Sequence, residues 1–353
     1  MSKNGNYRPL VGITTGDPAG IGPEVIAGAL NVRELYEFCR PIVIGDAGVI
    51  EQAVGIVKCD AVINACVHPE NGIFQPGTLD VFDMQNVDIK KLKKKQISRR
   101  TGKASLENIY KAIDLTLDHT IDAIVTGPIH TVAIHKAGCK FPGHTEIFSD
   151  RLGVQEFSSM LVVDDFRVMH VTLHTSLKNA IKSLSVNRIL KMIRLAHNSL
   201  KEMGVGNPRI AVPGLNPHSG DDGLFGNEEE KIIRPAIEAA RAEGVIVDGP
   251  VPPDTVFIKA LGGKYDIVIA LYHDQGHIPG KFLGWKWDEA LQRYTQMKGV
   301  TIVLGLPIIR TNPDHGTALE IAGEGIANFD AMVDAITLAA QIHKGRRSVL
   351  PDY

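Results

Sequence analysis

The chain has 353 residues, 44% of them hydrophobic and 22% charged. That is too long for one ordinary core, ample for two lobes, and unlike the composition of a disordered chain. With 38 basic and 40 acidic residues the formal net charge is −2, so no basic field exists to recruit nucleic acid or an anionic membrane, and an anionic ligand needs local basic groups. No apolar run approaches the roughly 20 residues that span a bilayer. The opening MSKNGNYRPL lacks the apolar stretch of a signal peptide. Cys39, Cys59, Cys66 and Cys139 form no CxxC pair and no spaced framework, so they read as reduced thiols of a cytoplasmic protein.

Short β-branched runs alternate with longer amphipathic stretches. In chain order the runs are LVGITT, RPIVIGD, IDAIVTGP, RVMHVTL, RIAVPGL, YDIVIALY and VTIVLGLP, each closed by a turn signal. The helical patterns are PEVIAGALNVRELYEF, ASLENIYKAIDLTLDH, VNRILKMIRLAHNSLKEMG, NEEEKIIRPAIEAARAEG and FDAMVDAITLAAQIHKG. The helix after Asn227 opens on three glutamates, which suits its N-terminal dipole, and stops at Gly244. Continuous apolar strands with helical crossovers predict an α/β fold, its mostly parallel sheet covered by helices on both faces. The basic run KKLKKKQISRR, from Lys90 to Arg100, reads as a solvated face or loop. The stretch from Lys281 to Gly299 holds both tryptophans and reads as an excursion between two strands, a lid or an oligomer contact.

Ligands of open parallel sheets bind beyond the carboxyl ends of the strands. Three strands deliver a histidine there: His174, His218 and His273. Neutral imidazoles meeting at one sheet edge suit a borderline divalent metal such as zinc, although each also suits a turn cap. His170, four residues before His174 and read as sharing its strand face, is a candidate fourth ligand. The GDPAGIGPE turn offers backbone N–H groups to an anion, or is simply a tight strand-to-helix turn. Thr145, in the loop-to-helix start FPGHTE, is a candidate phosphate contact, or part of a plain helix cap. Arg310 suits a bidentate grip on a carboxylate or phosphate, and Lys281 an anion contact or acid–base role.

Together GDPAGIGPE, GHTE, NPHSGDDGLFGNEE, PPDTVF, YHDQG and IRTNPDHGTALEIAG resemble the 4-hydroxythreonine-4-phosphate dehydrogenase family of vitamin B6 synthesis and its catabolic relatives. The first and last stretches are also similar to β-decarboxylating dehydrogenases of the isopropylmalate type. The resemblance implies a two-lobed isopropylmalate dehydrogenase-like fold, with residues 1–128 and 300–353 as NAD-binding lobe and 129–299 as metal, substrate and dimerisation lobe. It implies a homodimer with a shared active site. His174, His218 and His273 become ligands of one divalent metal (zinc first, then Mg, Mn or Co), completed across the dimer. It makes His144, Thr145, Lys281 and Arg310 substrate contacts and brings Asp254 toward the site. Lys281, His144 and Asp254 are the catalytic candidates. Asp314, His315, Gly316, Thr317 and Asn328 fall in the stretch that holds the adenosine half of NAD. Thr301 stands where the vitamin B6 enzymes have Asn, which leaves open what is held there, and the segment from Trp285 to Lys298 is longer than theirs.

The GLFG after NPHSGDD and the GHIPGK after YHDQ look more like the catabolic branch. The expectation is NAD-dependent oxidative decarboxylation of 4-phospho-D-threonate or 4-phospho-D-erythronate to dihydroxyacetone phosphate. The alternatives are the biosynthetic enzyme, a dehydrogenase of dihydrodiol dicarboxylates, and a sugar-phosphate or nucleotide binding protein without catalysis.

Overall fold

A computed structural model describes residues 7–349. Its strands are β1 (Leu10–Thr14), β2 (Arg40–Gly45), β3 (Val62–Cys66), β4 (Thr78–Asp83), β5 (Ala123–Thr126), β6 (Ser158–Val163) and β7 (Phe166–His170). They continue with β8 (Ile210–Pro213), β9 (Val247–Val251), β10 (Ile267–Ala270), β11 (Trp285–Asp288), β12 (Arg293–Met297), β13 (Val300–Leu304) and β14 (Arg310–Pro313).

The chain divides into two compact units. Of the described residues, the first takes 7–155, 295–300 and 306–344, and the second takes 156–294, 301–305 and 345–349. Residues 129–155 thus group with the first unit by contact. Residues 1–6 and 350–353, the ends of the lobe expected from sequence, lie outside the described residues.

In the first unit the strands run β3-β4-β2-β1-β5-β14, every pairing parallel. The central strand β1 is buried at all five positions, as expected of a strand covered on both faces. Helix Arg99–Leu117 packs against β1, β2 and β5 and starts at Ser98, whose hydroxyl accepts the Thr101 amide at 3.1 Å. In the second unit the order is β13-β6-β7-β10-β8-β9. There β6 and β7 pair antiparallel, whereas β7, β10, β8 and β9 run parallel. Helix Val186–Glu202 is capped by Ser185 and buries one stripe, Ile189, Met192, Ile193, Ala196 and Leu200. The Trp285–Lys298 excursion is a hairpin, with β11 and β12 as a separate two-stranded sheet. Among the described residues no helix is long and apolar enough to cross a membrane.

Candidate active site

In the second unit β7, β8 and β10 end side by side, and the turns beyond them carry the candidate ligands. His273 opens helix His273–Gly284, and its Nδ1 lies 2.7 Å from Asp274 Oδ1. A carboxylate only accepts, so Nδ1 donates and the Nε2 lone pair is left for a cation. The His174 ring lies 5.8 Å from that of His273, and both line a cavity of about 500 Å³ with Tyr272, Asp274 and Ser176.

His218 is placed differently. It lies in the turn Pro217–Gly220 with φ +53, and its ring meets Phe225 edge-on at 6.1 Å. Among the described residues no group of three or more His, Cys, Asp or Glu converges as a metal site. In donor chemistry the pair His174 and His273 suits a divalent cation. His174 and His273 are exposed or half-buried imidazoles that share one cavity, one of them held in tautomer by a carboxylate.

The expected face shared by His170 and His174 does not form. Strand β7 ends at His170, and His174 stands in the turn beyond it. His170 is 2% exposed, stacks on His277 at 4.6 Å and lies 6.3 Å from the His273 ring. Burial, with His277 and His273 beside it, pushes its pKa down to about 3, so the ring is neutral.

Side chains outside the expected ligand set hold these turns. The Gln275 side chain accepts the Leu271 amide at 2.7 Å and donates to Gly214 O at 2.9 Å, tying the His273 turn to the end of β8. Buried Glu229 accepts the amides of Leu215 and Asn216 at 2.7 and 2.8 Å and the Asn216 side chain at 2.9 Å. The signal for these lies in YHDQG and NEE, since amides and carboxylates near a ligand candidate are its natural supports. Asp254 is exposed in the first turn of helix Pro253–Leu261, which packs on the His218 turn. Lys281 sits two helical turns after His273, its ammonium 4.0 Å from the centre of the Trp285 ring. Thr301 is half-buried on β13.

In the first unit Arg310 opens β14 beside β5 and is 2% exposed. Its Nη2 donates to Thr126 Oγ1 at 2.7 Å, Nε has no partner, and the guanidinium lies 5.5 Å from the Phe148 ring centre. Burial pushes its pKa down to about 9, with Glu146 opposing, so it is cationic at neutral pH. His144 starts helix His144–Leu152, with Gly143 at the cap position and no side-chain cap. Its Nε2 is buried without a partner, and burial and the Arg310 charge hold its pKa well below 6.5. A buried cation with one hydrogen bond and an uncapped helix start can together receive an oxyanion. Thr145 is half-buried in the same first turn.

Three amides of the GDPAGIGPE turn are taken within the protein. The Ala19 amide is taken by Asp17 Oδ1 at 2.9 Å, Gly20 by Asp17 O at 3.0 Å and Ile21 by Thr317 O at 3.0 Å. Through the Ile21 amide the turn anchors the Asp314–Asn328 stretch. In that stretch Thr317 is buried, and Asn328 Oδ1 accepts the Asp330 amide at 3.0 Å at the start of the last helix. His315 stays half-buried and Gly316 is exposed, with open space where a Cβ would stand. His315 and Gly316 are thus the accessible part of the stretch, while Thr317 O and Asn328 Oδ1 accept backbone amides.

The chain is 44% identical over 339 residues to the D-threonate 4-phosphate dehydrogenase of Cupriavidus necator, covering 96% of this chain and 98% of that protein. It is 45% identical over 336 residues to the 4-hydroxythreonine-4-phosphate dehydrogenase of Desulfosudis oleivorans, covering 95% and 96%. The crystal structure of 4-hydroxythreonine-4-phosphate dehydrogenase from Klebsiella pneumoniae matches with a TM-score of 0.85 at 38% identity, covering 96% of this chain and 99% of that one. Fold and relatives define an oxidoreductase, a dehydrogenase of the α/β class. The family described as pyridoxal phosphate biosynthetic protein PdxA matches residues 37–339, and the chain belongs to that family.

Proposed function

We propose that this chain is a cytoplasmic, NAD- and divalent-metal-dependent dehydrogenase acting on a four-carbon phosphorylated hydroxy acid, 4-phospho-D-threonate or 4-phospho-D-erythronate. Oxidation at C3 gives a β-keto acid, and loss of CO2 gives dihydroxyacetone phosphate. The observation that carries this reading is Arg310: a buried guanidinium with a single hydrogen bond calls for an anionic partner.

Arg310, Thr145 and the first-turn amides of helix His144–Leu152 would bind the phosphate or carboxylate. His174, His218 and His273 would hold the metal, with ligands drawn from both copies of a homodimer. Asp314, His315, Gly316, Thr317 and Asn328 belong to the loop that would receive the dinucleotide. When bound, the cation supplies Lewis-acid stabilisation of negative charge on a substrate oxygen, and NAD the hydride acceptor. His144, neutral and with its Nε2 unmet, can take the C3 hydroxyl proton on that nitrogen. Lys281 and Asp254 are the other acid–base candidates, and Thr301 a substrate contact.

The relatives carry both family activities in their names at 44 and 45% identity, which favours one second reading, the biosynthetic dehydrogenase. NADH formation and product analysis with 4-phospho-D-threonate, 4-phospho-D-erythronate and 4-hydroxythreonine 4-phosphate separate the two. Turnover of either acid to dihydroxyacetone phosphate is expected. A strong preference for the amino substrate moves the chain to the biosynthetic reading, and no turnover of any of the three would sink both.

A further inference from the structure

The basic run after Asp88 has a use that its composition concealed. Lys94 is half-buried, its ammonium donates to Pro18 O in the glycine-rich turn at 3.0 Å, and its stem lies beside Gly323, where a side chain would meet it. The Lys95 amide donates to Ala19 O at 2.9 Å, while its ammonium donates to Glu320 O at 2.8 Å and pairs with Glu324. Two consecutive lysines therefore fasten to both the first turn of the chain and the loop after His315.

Between them lies Glu24, 1% exposed, whose carboxylate accepts the amides of Gly323 at 2.6 Å and Gly325 at 3.1 Å. Both glycines have positive φ, +88° and +66°, a backbone shape that a side chain accepting both amides can fasten. Burying a carboxylate is costly unless hydrogen bonds and a nearby cation offset it. Burial lowers the pKa of Lys94, and Glu24 and Asp17 are the charges that oppose this.

We infer that Lys94 is a positioning residue: with Glu24 and Lys95 it clamps the Thr317–Gly325 loop into its shape before any dinucleotide binds. This rests on the reading of that loop as the dinucleotide site, and the test separates the two claims. In ligand-free protein, amide hydrogen exchange at Gly323 and Gly325 is measured for wild type, Lys94→Met, Lys94→Arg and Lys95→Ala. Steady-state kinetics with NAD follow on the same four proteins.

Lys94→Met is expected to speed exchange at both amides about tenfold and to raise KM for NAD about tenfold, with kcat within twofold. Lys94→Arg should restore most of each, because it keeps the charge. Lys95→Ala, at an exposed position where folding is not at stake, should give a smaller change in the same direction. Unchanged exchange in Lys94→Met and Lys95→Ala alike overturns the clamp. Faster exchange with an unaltered KM for NAD upholds the clamp and removes the dinucleotide from the loop.

Discussion

At the scale of single residues, the chemistry rests on groups whose ordinary behaviour is altered by burial. Arg310 loses water on nearly all its surface and recovers one hydrogen bond, so an anion that supplies more is held tightly. Replacing it by Met is expected to raise KM for the phosphorylated acid about 30- to 100-fold, equivalent to about 2–3 kcal/mol for a charge-assisted contact. Lys at this position should recover only part of that, because an ammonium lacks the guanidinium fork. Steady-state kinetics decide, and a KM within threefold of wild type for Arg310→Met would show that the anion binds elsewhere. Sequence alone marked Arg310 as suited to this grip. It could not distinguish a buried cation from a surface one, since Thr126 and Phe148 reach it only through tertiary packing.

At the scale of elements, the turn after β8 shows how a strained segment is kept. Six consecutive residues, from His218 to Gly223, have positive φ, and four of them are not glycine. Each such residue costs on the order of 1 kcal/mol, so the turn persists only because its surroundings over-determine it. The Glu229 carboxylate does so, taking two backbone amides and the Asn216 side chain. Glu229→Gln turns one acceptor into a donor aimed at donors. It is expected to cost about 1–3 kcal/mol in calorimetric unfolding and to lower metal content in the purified protein. Unchanged stability and metal content together would mean that Glu229 does not hold His218 in place.

Other elements were less legible from the chain. Strand β3 was missed because its burial alternates weakly at a sheet edge, and β4 because TLDVFD carries acids. One of these acids, Asp80, is buried and accepts the amides of Ile73 and Phe74 and the side chain of Asn64.

At the scale of the whole molecule, His174 and His273 share one cavity while His218 stands on its own turn. If two copies complete each other's metal set, a copy lacking His218 and a copy lacking His273 are each inactive alone yet restore one intact site when mixed. Dissociating and reassociating His218→Ala with His273→Ala should then return about a quarter of wild-type activity, the share expected for random pairing in a two-fold dimer. No recovery, with dimers re-formed by light scattering, would place all three ligands on one chain.

The sequence by itself determined the α/β class, seven of the strands and the turns that carry histidine, arginine and the glycine-rich motifs, because strand burial and turn chemistry are written in neighbouring residues. Only the tertiary structure decided what those groups face. Glu24 meets the amides of a loop about 300 residues further on, which makes the first turn an anchor for that loop. Burial, charge compensation and hydrogen-bond partners are set by whatever packs alongside, and in this chain those neighbours are remote in sequence.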